Sequence, residues 1–83
     1  MPLNSAEIEV QETYMNFNIE FDQEEDGRWI AEIPEIPGML AYGLTPLQAG
    51  SKAKALVLRV LAERMENEVS IPYFNSIEFF NHY

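Results

Sequence analysis

The sequence predicts an α+β fold in which strands and one helix form two layers in the order β-β-β-α-β. Two observations lead to this prediction: apolar and polar residues alternate in the first half of the chain, and a strongly capped helix start lies at Thr45. With 83 residues, the chain fits one domain with a small core. We divide it into a polar, acidic N-terminal arm at residues 1–13, with a short alternation at Ile8 and Val10, and a core domain at residues 14–83.

The first two strands are predicted from patterns of period two. Residues 14–22 alternate as in a half-buried strand, and the residues on the apolar face are Met15, Phe17, Ile19 and Phe21. Asp26 and Gly27 suit a tight hairpin turn, because such a turn needs a positive φ. A second strand is expected at residues 28–33, where one face consists of Trp29, Ala31 and Ile33.

A loop containing two prolines separates the second strand from the third. Pro34 and Pro37 have no N–H to donate to a sheet ladder, so the second strand must end before them. Gly38 allows a backbone conformation that is closed to other residues. A short third strand is predicted at residues 39–42 and ends at Gly43, which completes an antiparallel meander of three strands.

The helix start is the sharpest local signal. Thr45 is a favoured N-cap and Pro46 fits the first helical position. Together with Gln48, Thr45 forms the pattern of a capping box, and the helix is expected to run to about Glu66. Gly50 weakens the helix by about 1 kcal/mol relative to alanine. It either allows a close approach to the sheet or has no structural role.

The apolar stripe of this helix is wider than one sheet requires. At 100° per residue, the stripe contains Ala49, Ala53, Leu56, Val57, Val60 and Leu61, and it is widened by Leu47, Leu58 and Met65. Either the tail of the chain or a second subunit covers the excess. We predict a homo-oligomer, a dimer or a tetramer, with an interface that includes Leu58, Met65, Phe79 and Phe80.

The tail regains strand-like character after Pro72. A fourth strand is expected at about Ser76–Phe80, which leaves the helix lying on one face of the sheet. The alternative is an aromatic tail that docks on a neighbouring subunit.

The charge balance bears on the class of partner. With 14 acidic and 5 basic residues, the formal charge is −9, so we expect no direct binding to DNA or RNA. Such a surface suits a basic protein partner. The alternative explanation is that the acidic residues only keep the chain soluble. The chain contains no cysteine, which fits the cytoplasm, and we expect neither a signal peptide nor a membrane-spanning helix.

The sequence offers few residues that could form a catalytic site. A metal-dependent nuclease needs carboxylates that converge from different elements. However, Glu20 and Asp22 are predicted on the outward face of the first strand, and Glu63 and Glu66 on the polar side of the helix. His82 lies next to the last residue, where a general base would lack fixed geometry. We therefore predict no enzyme and no catalytic, cofactor-binding or metal-binding residue.

The central segments together resemble a known family. Residues 26–38 read Asp-Gly-Arg-Trp-Ile-Ala-Glu-Ile-Pro-Glu-Ile-Pro-Gly, and they are followed by Tyr42-Gly43-x-Thr45 and an alanine-rich helix. In this order and spacing, they resemble the HicB-like antitoxin family over residues 14–66. The resemblance implies a partial RNase H-like β-β-β-α-β fold. It also implies a partner, a small basic RNA-cleaving toxin called HicA, which the antitoxin binds and covers.

The chain departs from the family pattern at three places. Leu44 replaces the usual acid before Thr45, and Gly50 follows Ala49 where a helix former is common. The third departure is that no helix-turn-helix or ribbon-helix-helix module fits in the residues after Glu66, so operator binding is not expected.

Three hypotheses about function follow from the sequence. The leading one is an antitoxin core that neutralises a HicA-like toxin, with its contact loop at Pro34, Glu35, Ile36, Pro37 and Gly38. Free strand edges and the acidic hairpin are further expected contacts. The second is a homo-oligomeric binding module without a toxin. The third and least favoured is an RNase H-like metal-dependent nuclease.

Overall fold

The computed structural model describes residues 14–67 and 74–83, and this part of the chain contains four strands and one helix. The strands are β1 (Tyr14–Gln23), β2 (Trp29–Glu32), β3 (Leu40–Gly43) and β4 (Ser76–His82), and the helix α1 (Pro46–Glu66) lies between β3 and β4. The predicted α+β fold with the order β-β-β-α-β is thereby confirmed. The N-terminal arm, with Ile8 and Val10, lies outside the described residues.

The strands form one mixed sheet in the order β3-β2-β1-β4. The three-stranded antiparallel meander is present as predicted, since β2 pairs antiparallel with both β1 and β3. The tail forms a fourth strand within its own chain, and β4 runs parallel to β1, from Tyr14 opposite Ser76 to Glu20 opposite His82. Strand β1 is therefore central, and β3 and β4 are the edges of the sheet.

Hydrogen bonds in the loops explain why the strand limits differ from the predicted ones. Strand β2 starts at Trp29 because Arg28 belongs to the hairpin loop, where its carbonyl accepts from the Glu24 N–H at 2.7 Å. It ends at Glu32 because the carbonyl of Ile33 accepts from the Ile36 N–H at 3.0 Å. Gly27 in the hairpin loop has φ +91°, as the predicted turn requires.

The core lies between α1 and the sheet. Its buried residues are Phe17, Ile19, Ala31, Ile33, Ala41, Ala49, Ala53, Val57 and Leu61. Alanine is common in this set, and the absence of longer side chains lets the helix axis lie close to the sheet. The core therefore depends on a few large side chains, of which Ile19, Ile33 and Val57 are fully buried.

Two glycines allow a close approach between the helix and the sheet. A Cβ at Gly43 would lie 2.5 Å from the backbone N of Ala49. A Cβ at Gly50 would lie 3.0 Å from Cζ of Phe21, so this glycine has the close-approach role that was one of its two interpretations. Strand β3 and the start of α1 are thus in direct backbone contact.

The predicted N-cap is present, but the capping box is only half formed. The Oγ1 of Thr45 accepts from the Gln48 N–H at 3.0 Å. The Gln48 side chain accepts at 2.6 Å from the N–H of Leu44, which is one residue earlier than a capping box requires. At the other end, the N–H and the side-chain amide of Asn67 both donate to the Glu63 carbonyl.

Candidate functional site

The predicted contact loop between β2 and β3 consists of two successive turns. The first is closed by the Ile36 N–H on the Ile33 carbonyl, and the second by the Met39 N–H on the Ile36 carbonyl, both at 3.0 Å. Gly38 has φ +80° in the second turn. Ile36 is half-buried against the core, whereas Pro34, Glu35, Pro37 and Gly38 are exposed. The loop is therefore anchored by one side chain and presents the others to solvent.

Glu35 ties the same loop to the central strand. Its two carboxylate oxygens each accept from the backbone N–H of Asn18 at 3.1 Å, and one also accepts from the Asn18 side-chain amide. The paired register of β1 and β2 starts at Glu20 opposite Glu32, so Asn18 lies just beyond the last ladder pair. The Glu35 carboxylate thus accepts the Asn18 N–H, for which β2 provides no partner at this point of β1.

His82 extends this contact to the edge strand β4. Its Nε2 lies 2.8 Å from Oδ1 of Asn18. Partial burial raises the pKa of Glu35. The hydrogen bonds from Asn18 and the charge of His82 lower the same pKa, and their combined effect is larger than that of burial. The net result is a pKa below the usual value of 4.5. The contact loop, the central strand and the edge strand are therefore joined in one polar network.

The Glu35 contact predicts a dependence of stability on pH. Because folding lowers the pKa of Glu35, its ionised form stabilises the folded state above the unfolded pKa. That contribution is lost as the pH falls through the folded pKa. Glu35→Gln is expected to be less stable than the wild type near pH 7, and the difference should shrink as the pH falls below about 4.5.

Urea unfolding curves of both proteins between pH 3 and pH 7 measure this difference. Glu25→Gln, at the exposed hairpin tip, is the matched control and should follow the wild type at every pH. A difference between Glu35→Gln and the wild type that is constant with pH would contradict the role given to the Glu35 charge.

A groove of about 410 Å³ lies between the contact loop, the start of β1 and the last turns of α1. Its lining residues are Met15, Phe17, Glu35, Ile36, Pro37, Val60, Leu61 and Arg64. The walls are mostly apolar, with one carboxylate and one guanidinium at the rim. Three residues of the predicted contact loop line the groove, whereas Pro34 and Gly38 do not.

The sheet face opposite α1, which we call the outer face, is acidic. It carries Glu20, Asp22, Glu32 and Glu78, all of them exposed. Glu20 and Glu32 stand directly opposite each other, and like charges at such positions repel. The neighbouring base, Arg28, is already engaged, because its Nε donates to Asp26 at 2.8 Å and its guanidinium lies 4.6 Å from the centre of the Tyr42 ring.

The four residues predicted for an oligomer interface lie on three different surfaces. Leu58 and Met65 are 48% and 56% exposed on α1, so the described part of the tail leaves that flank uncovered. Phe79 faces the helix layer, where its ring stacks on Phe17 with the centroids 5.9 Å apart. Phe80 points to the outer face and is 44% exposed. The structure brings Leu58 and Met65 to one helix face but separates them from the two phenylalanines.

The four carboxylates considered for a nuclease lie on two different elements, β1 and α1. Within residues 14–67 and 74–83, no group of three or more His, Cys, Asp or Glu side chains is placed to hold a metal ion. Glu20 and Asp22 lie on the outer face, as predicted, and Glu63 and Glu66 lie on the other layer, on α1.

Sequence reasoning missed Asn18 and the position of His82. Asn18 lies 17 residues from Glu35 and 64 residues from His82, so no local pattern points to either hydrogen bond. The outward position of Asn18 in the alternating first strand was the only available signal.

Comparisons of the chain with models of protein families, with curated proteins and with solved structures gave no match. Within residues 14–67 and 74–83, no helix is both long enough and apolar enough to cross a membrane.

Proposed function

We propose that this protein is a HicB-like, antitoxin-type binding protein that covers a small basic HicA-like RNA-cleaving toxin in the cytoplasm. The observation that carries most weight is the contact loop. The segment Ile33-Pro34-Glu35-Ile36-Pro37-Gly38, which is one part of the family resemblance, is closed by two turns and by the hydrogen bonds of Glu35. It borders an apolar groove. A fixed loop loses little conformational freedom when a partner binds.

The distribution of charge supports a basic partner. The outer face carries four exposed carboxylates, and Glu20 and Glu32 keep their like charges opposed at a cost in stability. A surface with many Lys and Arg side chains would relieve this repulsion and would meet the acidic face faster at low salt. This protein then acts by binding and catalyses no reaction.

The test is complex formation with a HicA-like protein encoded beside this chain. Co-expression, affinity capture of this chain and identification of the captured product by mass spectrometry would reveal the pair. Relief of toxin-induced growth arrest would show neutralisation. If no HicA-like protein forms a complex with this chain, the antitoxin proposal is wrong.

Pro37→Arg is expected to weaken the complex at least tenfold, which corresponds to about 1.4 kcal/mol. The substitution places a cation on the exposed loop toward a basic partner and leaves the Glu35 bonds intact. Leu44→Arg is the matched control, because it adds the same charge in another loop at a residue that is 76% exposed. Calorimetric titration of both variants decides the point, and equal affinities would show that the toxin does not contact this loop.

A further inference from the structure

Among the described residues, strand β4 leaves one edge of seven residues unpaired. In the described part of the chain, its one neighbour in the sheet is β1. Alternate residues of such a strand direct their backbone N–H and C=O groups away from the sheet. The other edge strand, β3, has four residues, so β4 is the longer of the two open edges.

Within the described residues, the edge of β4 has few of the features that normally prevent strand pairing. Proteins protect sheet edges with charged side chains, above all lysine, with proline, bulges or very short strands, or with a covering helix or loop. The strand Ser-Ile-Glu-Phe-Phe-Asn-His contains no lysine and no proline, and its register with β1 is unbroken from Ser76 to His82. Its one carboxylate, Glu78, lies near the middle.

The same strand is held in place at several points. The ring of Phe79 stacks on Phe17, and His82 contacts Asn18. Immediately after the strand, the ring of Tyr83 stacks on Phe21 with centroids 4.6 Å apart. The edge is therefore ordered before any partner arrives, which lowers the entropic cost of pairing.

We infer that the free edge of β4 pairs antiparallel with β4 of a second copy of this chain, joining the two sheets into one. The strand is compatible with its own copy. With Phe79 at the two-fold axis, Glu78 stands opposite Phe80, and with Phe80 at the axis it stands opposite His82. Neither register brings two carboxylates together, and a two-fold pair uses up the edge and stops at a dimer.

This pairing also covers Phe79 further, because its side chain is only half-buried within one chain. The helix lies mainly over β2 and β3, so the inner side of β4 is only partly covered by its own chain. Two copies related by a two-fold axis perpendicular to the sheet place both helices on the same side. With Phe79 at the axis, the two Phe79 side chains then lie next to each other across the joint. A dimer of this kind forms with or without the proposed toxin.

Mass measurement of the full chain in solution tests the dimer. At micromolar concentration, light scattering and sedimentation velocity are expected to give about twice the 9.6 kDa of one chain. A wild-type protein that stays at the monomer mass would overturn the inference.

A pair of double variants tests the edge itself. Glu78→Lys with Phe80→Lys puts like charges opposite each other in both registers, so the dimer should dissociate to the monomer mass. Glu32→Lys with Tyr42→Lys makes the same chemical change on β2 and β3 of the same face and should leave the dimer intact. Equal behaviour of the two double variants would overturn pairing through the β4 edge.

Cysteine cross-linking gives a second readout that requires only one small change. Because the chain has no cysteine, Phe80→Cys supplies the only thiol, and a short bis-maleimide reagent should link it into covalent dimers. Tyr42→Cys should remain unlinked, since β3 lies at the far edge of each sheet. If the lysine variant of β4 does not fold, this comparison decides alone, and equal cross-linking at both positions would refute the inference.

Discussion

Replacing Gly43 by alanine is expected to lower the free energy of unfolding by about 3 kcal/mol, at the upper end of the usual range for an overpacked core. The new Cβ would lie 2.5 Å from the backbone N of Ala49 and 3.0 Å from its Cα. A backbone cannot yield as a flexible side chain can, so the start of α1 or the end of β3 must shift. Urea unfolding followed by circular dichroism measures the loss.

Gly27→Ala provides the matched control for this prediction. Gly27 has φ +91° and nothing within 4 Å of an added Cβ, so its substitution costs only the backbone strain, about 1 kcal/mol. If the two alanine variants were equally stable, the close approach of β3 to α1 would not be the reason for glycine at position 43.

Replacing Ile19 by alanine is expected to cost about 3 kcal/mol, within the range measured for large-to-small substitutions in cores. Ile19 is fully buried, and the core around it contains several alanines that cannot expand to fill the cavity. For a domain of this size, such a loss is a large part of the total stability. The midpoint of urea unfolding should fall with little change in the slope.

Ile30→Ala is the control, because Ile30 lies on the outer face of the neighbouring strand and is only half-buried. The same loss of atoms there should cost about 1 kcal/mol, since part of the side chain already contacts water. Comparable losses at positions 19 and 30 would mean that the outer face is covered in solution.

Local patterns were sufficient to predict the elements of the fold. The alternation of residues 14–22 predicted β1, and Thr45 with Pro46 predicted the helix start, because both signals depend on neighbours a few residues apart. Gly43, in contrast, was assigned only the end of a strand. Its contact with Ala49 depends on how close the helix lies to the sheet, and that distance is set by the whole layer of small side chains.

The candidate site was predictable only in part. Two prolines around an acid located the contact loop, and the structure places Ile36 and Pro37 at the groove. The bond from Asn18 to Glu35 and the parallel pairing of β4 with β1 join distant residues, for which one sequence contains no pattern. The wide helix stripe predicted an interface at Leu58 and Met65; both side chains are exposed on α1, on a different surface from that of Phe80.

The parallel pairing of β1 with β4 has a consequence for synthesis of the chain. Every residue of β1 that pairs with β4 meets a partner 62 positions later, as Tyr14 meets Ser76. During translation, β1, β2, β3 and α1 all emerge while one side of the central strand still lacks its neighbour. Because pairing over such separations is slow, the nascent domain exposes that side to chaperones and to other chains until β4 has been made.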